Sequence, residues 1–215
     1  MSEWEWRGKL NLHDLWAYKG HELLGFQIPK DEVNNSFKFA RHATKVNKRK
    51  NQTYRHNGRP KIISRAIGDL GEKLFRSRLL DLEIPHQWDG RALDDNFGHD
   101  FIVGSTHLGC KTTQVKQLGS LFADWKDRGK WLYPAKRDPE VKKRRKTGYP
   151  EMLFCAAVSI MKGYRPYGWI IGILDVWDIW SAPMKIKGNE MAHWIPHEKI
   201  QDLQKYHDFL RKCSM

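Results

Sequence analysis

HDFIVGSTHLGCKTTQVKQ, residues 99–117, is the stretch that decides the predicted fold. We expect a short strand that carries Asp100, a turn over residues 104–109, and a second strand that carries Gln114 and Lys116. Side chains two residues apart in a strand point to the same face, so Gln114 and Lys116 should lie together. Pairing of the two strands would bring Asp100 close to them. A carboxylate, an amide oxygen and an ammonium would then converge, which suits a divalent cation held against a phosphate.

The overall charge indicates a partner rich in negative charge. The 215 residues contain 38 lysines and arginines against 25 aspartates and glutamates, a formal net charge of +13. Such a balance favours nucleic acid first and an anionic membrane second. The alternative is a soluble protein that is simply basic. Hydrophobic residues make up 40% of the chain, which suits one domain with a core of its own.

The cysteines and the apolar stretches indicate a soluble intracellular protein of the cytoplasm. Cys110, Cys155 and Cys213 are far apart and form no CxxC pair, so they predict neither a disulfide framework nor a zinc knuckle. The first ten residues carry charges where a signal peptide needs an apolar run. The longest apolar stretch, residues 152–161, is about half a membrane span. We therefore expect no membrane partner.

Two basic segments are the predicted nucleic-acid contacts. Residues 33–68 contain no aspartate or glutamate, and amides and aromatic rings are interspersed among the bases. Residues 119–150 combine lysines and arginines with tryptophan and tyrosine. The alternatives are a solvated basic loop for the first segment and a flexible surface insertion for the second. The predicted contacts are Lys45, Lys48, Arg49, Lys50, Arg55, Arg59 and Lys61, then Lys142, Lys143, Arg144 and Arg145.

An amphipathic helix is predicted over residues 64–84. Apolar residues recur at i, i+3 and i+7 from Ile67, and Ser64 is a candidate N-cap. Glu72 shares a helix row with Phe75, so it borders the buried face. Such a glutamate either takes part in a site or extends its carboxylate to solvent.

The remaining elements complete one α/β (α+β) domain around a mixed central sheet flanked by helices. Residues 84–90 read as a first strand, and residues 119–150 as irregular. The continuous apolar runs 152–160 and 167–180 predict strands that are covered on both faces. A short helix closes the chain.

The chain divides into two predicted parts. Residues 1–62 form a basic, tryptophan-containing extension for DNA contact and specificity. Residues 63–215 form the core, with the basic insertion at 119–150 inside it.

The candidate site has the ligands that Mg²⁺ prefers, and Mn²⁺ is a possible substitute. Asp100 is the expected anchor of the metal, Gln114 offers a side-chain oxygen and Val115 a backbone carbonyl. Glu72 could complete the metal sphere directly or through water. Lys116 would orient or deprotonate the attacking water and stabilise the developing charge.

These residues resemble the PD-(D/E)XK nuclease superfamily over about residues 64–180. Its core is a helix, three antiparallel strands, another helix and a further strand. The resemblance rests on Glu72 in the sequence GDLGE, on Asp100, and on the QVK at residues 114–116. It implies that Glu72 is the helix glutamate near the metal, that Asp100 is the metal-binding aspartate, and that Lys116 is the catalytic lysine.

The sequence departs from the superfamily pattern at two points. Gln114 stands where the pattern has Asp or Glu, a QxK variant that occurs in active members of the transposon type. Residues 98–99 replace the proline that precedes the aspartate. With Gln114 the site carries one fewer negative charge for the metal.

The expected function is that of a metal-dependent DNA endonuclease, cutting double strands at a specific sequence as restriction or homing enzymes do. A homodimer is one of the two oligomeric states that stay open, beside the monomer. One alternative is a structure-selective nuclease such as a Holliday-junction resolvase. Another is a non-catalytic nucleic-acid-binding protein with a decayed nuclease site. A third uses His42 and His56 with neighbouring asparagines around one metal, although no ββα spacing supports it.

Overall fold

The structure is a computed structural model with ten strands and four helices in its described part. It describes residues 9–18, 21–49, 61–88, 100–116, 130–134, 152–187, 190–196, 199–201 and 203–214. The first elements are β1 (Leu12–Tyr18), β2 (His21–Gln27), α1 (Lys30–Arg49) and α2 (Lys61–Asp81). Then come β3 (Gln87–Trp88), β4 (Phe101–Val103), β5 (Thr106–Gln114) and β6 (Lys130–Pro134). The last are β7 (Met152–Ser159), β8 (Tyr167–Asp175), α3 (Val176–Ser181), β9 (Met184–Lys187), β10 (Glu190–Pro196) and α4 (Leu203–Ser214).

Seven strands form one mixed sheet in the order β1-β2-β8-β7-β5-β4-β3. Strands β5 and β7 are parallel, and the other neighbours are antiparallel. The predicted mixed sheet flanked by helices is therefore confirmed. A parallel pair needs a long crossover, which residues 115–151 provide. That crossover contains β6, which forms a second sheet in the order β6-β10-β9.

The larger core lies between α2 and one face of the sheet. Leu70 and Leu74 of α2 are fully buried there, and Phe75 stacks on Phe154 of β7. A second core covers the opposite face, where Cys155 and Ile171 pack with residues of α3 and β10. Strands β7 and β8 are thus buried on both faces, which is why their sequences are continuously apolar. None of the described helices combines the length and apolar character needed to cross a bilayer.

Several predicted element boundaries are wrong. The apolar run 167–180 is not one strand, because β8 ends at Asp175, whose carboxylate caps α3 by accepting the Trp177 N–H. Ser64 lies inside α2, because the helix begins at Lys61.

Two further segments also differ from the prediction. In the expected first strand at residues 84–90, residues 84–86 are outside any strand, residues 87–88 form β3, and residues 89–90 lie outside the described residues. The segment 119–150, expected to be irregular, contains β6, which pairs with β10.

The residues before 63 contribute to the main sheet and its helical layer. Strand β2 pairs antiparallel with β8, so one sheet continues across the predicted boundary between residues 1–62 and 63–215. Helix α1 packs on α2 and forms an outer layer over it. The role of residues 1–62 in DNA contact stays a prediction.

Candidate functional site

The turn between β4 and β5 contains only Gly104 and Ser105. Gly104 has a φ of 58°, a left-handed conformation that glycine adopts without strain and that two-residue hairpin turns require. Val103 pairs with Thr106 directly across this turn. The predicted turn over residues 104–109 is therefore wrong, because most of it already belongs to β5. The short turn determines which residues of β5 lie beside Asp100.

Asp100 lies immediately before β4 and is fixed against the edge of β5. Its backbone N–H donates to the Leu108 carbonyl at 2.9 Å. Its Oδ2 accepts the backbone N–H of Cys110 at 2.6 Å. The Asp100 carboxylate is thus oriented by the backbone of the neighbouring strand.

Glu72 reaches the same edge from α2. The helix approaches β5 at Gly71, where any Cβ would overlap the Thr112 side chain. Only glycine permits this approach, and Glu72 is the next residue along the helix. Its Oε2 accepts the indole N–H of Trp88 at 3.1 Å. The Arg76 guanidinium lies 4.7 Å from the centre of a Trp88 ring, so the indole is held between two charged side chains of α2.

The carboxylates of Glu72 and Asp100 both raise the pKa of the Cys110 thiol. Burial raises the pKa of Cys110 well above its ordinary value, and the negative charges of Asp100 and Glu72 raise it further. A hydrogen bond with Thr112, at 3.7 Å between Sγ and Oγ1, acts in the opposite direction. The thiol therefore stays neutral at physiological pH. We call Glu72 and Asp100 the carboxylate pair.

The other predicted site residues lie at the far end of β5. Gln114 pairs with Val158 of β7, and the Val115 N–H donates to the Val158 carbonyl at 2.9 Å. The Lys116 carbonyl accepts the hydroxyl of Ser159 at 2.7 Å, and the Lys116 side chain is exposed.

The structure does not bring Gln114, Val115 and Lys116 to Asp100. A strand rises about 3.3 Å per residue, so the Cα atoms of Cys110 and Gln114 are roughly 13 Å apart along β5. The ligands of one hard cation lie about 2.0–2.6 Å from it. The short turn is the reason, since it places Gly109 and Cys110 beside Asp100 and carries residues 114–116 past it.

Lys111 is a candidate that sequence reasoning missed. It follows Cys110, and side chains alternate along a strand, so it points to the opposite face. There burial raises the pKa of Cys155 to about 12, and the charge of Lys111 acts in the lowering direction. The dipeptide Gly104-Ser105 could have revealed Lys111, because counting outward from a two-residue turn places Asp100 beside Gly109.

The predicted nucleic-acid contacts fall in several places. Lys45 is exposed on α1, Lys48 and Arg49 lie at the end of that helix, and Lys61 begins α2. Seven of them lie outside the described residues: Lys50, Arg55, Arg59, Lys142, Lys143, Arg144 and Arg145.

Two residues of the predicted ligand set, Glu72 and Asp100, could hold a hard divalent cation. Carboxylate oxygens are ligands that Mg²⁺ and Mn²⁺ prefer, and Glu72 and Asp100 supply them from two elements. Across the described ranges, no group of three His, Cys, Asp or Glu side chains is placed to hold a metal ion. The fit with Mg²⁺ is therefore limited to these two residues.

Comparison with protein-family models, with curated proteins and with solved structures gave no match. The function is therefore inferred from the residues and their geometry.

Proposed function

We propose that this protein is a metal-dependent DNA endonuclease of the PD-(D/E)XK type, centred on the carboxylate pair. The observation that carries the proposal is that two carboxylates are held at one end of the β3–β4–β5 strands. Glu72 accepts the indole N–H of Trp88, which pairs with Phe101, and Asp100, the residue before Phe101, accepts the N–H of Cys110. The order of elements supports it: α2, the antiparallel strands β3, β4 and β5, then β7 parallel to β5. The resemblance also implies a helix before the last of these strands, whereas the described part of that segment is β6. The net charge of +13 suits a phosphate backbone.

The site residues are oriented before any substrate arrives. The Cys110 N–H holds the Asp100 carboxylate, and the Trp88 indole N–H holds that of Glu72. When bound, Mg²⁺ would supply an activated water and neutralise charge on the phosphoryl oxygens. A lysine would stabilise the charge that develops on the phosphate. The resemblance assigns that role to Lys116. Lys111 is the alternative because it is closer to Asp100 along β5, and its side chain points to the face opposite the Cys110 thiol.

Cleavage of plasmid DNA with Mg²⁺ or Mn²⁺ tests the proposal. We expect the cleavage rates of Asp100→Asn and Glu72→Gln each to fall by a factor on the order of 100 or more. Even substitution of the groups that hydrogen-bond to metal ligands lowers activity by about 10- to 100-fold. Asp208→Asn, an exposed carboxylate of α4, is the matched control and should cut at the wild-type rate. Normal cleavage by both site variants would refute the site.

The two lysines are compared in the same assay. If Lys111→Ala loses activity and Lys116→Ala keeps it, Lys111 is the lysine that stabilises the charge on the phosphate. The reverse result would show that the QxK of residues 114–116 is used despite its distance from Asp100. Two sites would allow both strands to be cut in one binding event, so we expect a homodimer of active protein on DNA, which light scattering measures.

A second candidate is a nucleic-acid-binding protein without catalysis. The residues of β5 beside Asp100 favour this candidate. They are Gly109 and Cys110, a glycine and a neutral thiol, so β5 supplies no third carboxylate. Wild-type protein that binds duplex DNA but cuts it with neither Mg²⁺ nor Mn²⁺ would decide for this candidate.

A further inference from the structure

Helix α1 has one buried face and one basic face. Its buried residues pack toward α2 and the core: Ser36, Phe39, Ala40, Ala43 and Thr44. On the opposite side, Asn34, Lys38, Arg41 and Lys45 follow each other at i, i+4, i+7 and i+11, and all four are exposed. This spacing aligns side chains along one side of a helix. We call these four residues the α1 row.

The α1 row carries uncompensated positive charge. The sequence has no aspartate or glutamate from residue 33 to residue 68. Within the described part of the chain, no salt bridge joins a carboxylate to Lys38, Arg41 or Lys45. The exposed side of α4 differs, because Asp208 stands among its basic residues. A helix face with a single sign of charge fits an anionic partner.

A buried ionic cluster fixes α1 against the helix that carries Glu72. Lys73 of α2 is fully buried, and its Nζ lies 2.8 Å from Glu32 Oε2 and 3.0 Å from Ser36 Oγ on α1. Asp69 Oδ2 lies 3.3 Å from the same Nζ. We call these four residues the Lys73 cluster. Because Lys73 follows Glu72, the α1 row has a defined position relative to the carboxylate pair.

We propose that the α1 row binds the phosphate backbone of double-stranded DNA. From Asn34 to Lys45 the row is roughly 16 Å long at 1.5 Å per residue. A DNA strand presents a phosphate about every 3.4 Å of helix axis, so a row of this length faces several phosphates. A concavity of about 380 Å³ opens beside the row, with Asn34, Phe37, Lys38 and Arg41 in its lining. The choice of DNA as the polyanion rests on the proposed function.

The test is equilibrium binding of a fluorescent duplex in EDTA, over a series of salt concentrations. The variant Lys38→Ala/Arg41→Ala/Lys45→Ala is compared with Lys205→Ala/Arg211→Ala/Lys212→Ala on α4, which removes the same residue types from exposed positions. Loss of three phosphate contacts should lower the slope of log K against log salt by about 3. At 0.1 M salt the α1 variant should bind on the order of 100-fold more weakly. The α4 variant should bind nearly as wild type.

Three results would overturn the inference. The α1 variant could bind duplex like wild type, or both triple variants could weaken binding equally, which would indicate a net-charge effect. The α1 variant could also leave duplex binding intact and lose only binding to phosphatidylglycerol vesicles, which would indicate a membrane surface. Circular dichroism establishes that both variants are folded. EDTA prevents cleavage, so this test measures binding alone. If the protein binds DNA through the α1 row but does not cut it in the Mg²⁺ or Mn²⁺ assay, only the proposed nuclease activity is refuted.

Discussion

Helix α2 holds two polar groups of different character, the Lys73 cluster on its α1 side and the carboxylate pair on its sheet side. In the Lys73 cluster, a buried ammonium lies within ion-pair distance of two carboxylates. In the carboxylate pair, neutral N–H groups of Trp88 and Cys110 hold the oxygens. Neutral donors orient a carboxylate without cancelling its charge. We infer that the first group stabilises the fold, and we propose the second as the cation site.

The largest expected difference between the two groups is in metal binding. We expect Glu72→Gln/Asp100→Asn to bind Mn²⁺ on the order of 100-fold more weakly than wild type, because both anionic ligands become neutral. Lys73→Met should bind Mn²⁺ like wild type wherever it is folded. Isothermal titration calorimetry measures both. Equal losses in the two variants would break the comparison, since the Lys73 cluster would then also be needed for the metal.

Stability should respond in the opposite way. Lys73→Met leaves Glu32 and Asp69 without their ammonium in a buried place, which should lower the free energy of unfolding by about 3 kcal/mol. The matched control is Lys199→Met, whose partner Asp178 lies 3.0 Å away in a pair with the lysine 53% exposed. An exposed pair contributes less than about 1 kcal/mol. Urea denaturation checks the difference, and a Lys73→Met as stable as Lys199→Met would contradict it.

A pair of glycines in α2 tests how the helix brings Glu72 to the sheet. Gly71→Ala places a methyl group against Thr112, so α2 must shift, at a cost of about 1–3 kcal/mol. Gly68→Ala meets nothing within 4 Å and should stabilise the helix by up to about 1 kcal/mol. Thermal denaturation separates the two. If the shift also moves Glu72 away from Asp100, Gly71→Ala loses Mn²⁺ affinity while Gly68→Ala keeps it.

The sequence predicted the elements that have a strong period or a continuous apolar composition. Helix α2 follows from the spacing that begins at Ile67, and β7 and β8 from their apolar runs. The end of β8 was missed because α3 continues the same apolar composition. The change is marked only by Asp175, whose side chain caps the helix. Apolar composition measures burial and does not by itself distinguish a buried strand from a buried helix.

The candidate site was half predictable, for a reason of register. Glu72 and Asp100 were expected together, and both act on Cys110. A six-residue turn over residues 104–109 would bring Gln114 beside them, whereas the two-residue turn at Gly104 places Gln114 farther along β5. Lys73 could not be foreseen as buried, because its partner Glu32 lies 41 residues away in the sequence.

The smallest predicted effect concerns the two thiols on opposite faces of this sheet. Burial raises the pKa of Cys155 from 9.0 to about 12, so the folded protein keeps a proton that the unfolded chain loses above pH 9. A raised pKa of this kind gives stability that is present below pH 9 and is lost as the pH rises toward 12. Between pH 7 and pH 10, the free energy of unfolding of wild type should therefore fall by about 1 kcal/mol more than that of Cys155→Ala.

Urea titrations at the two pH values measure the change, and the pH 7 values account for the cavity left by the missing sulfur. Cys110 should contribute a loss of the same sign, because burial and the carboxylate pair both raise the pKa of its thiol. Asp100 affects the pKa of Cys110 and not that of Cys155, so the two thiols can be tested separately. Replacing Asp100 by Asn removes one of the charges beside Cys110, so it should reduce the alkaline loss that depends on Cys110 and leave that of Cys155 unchanged. An Asp100→Asn variant with an unaltered alkaline profile would mean that Asp100 is too far from Cys110 to share a cation with Glu72 at that point.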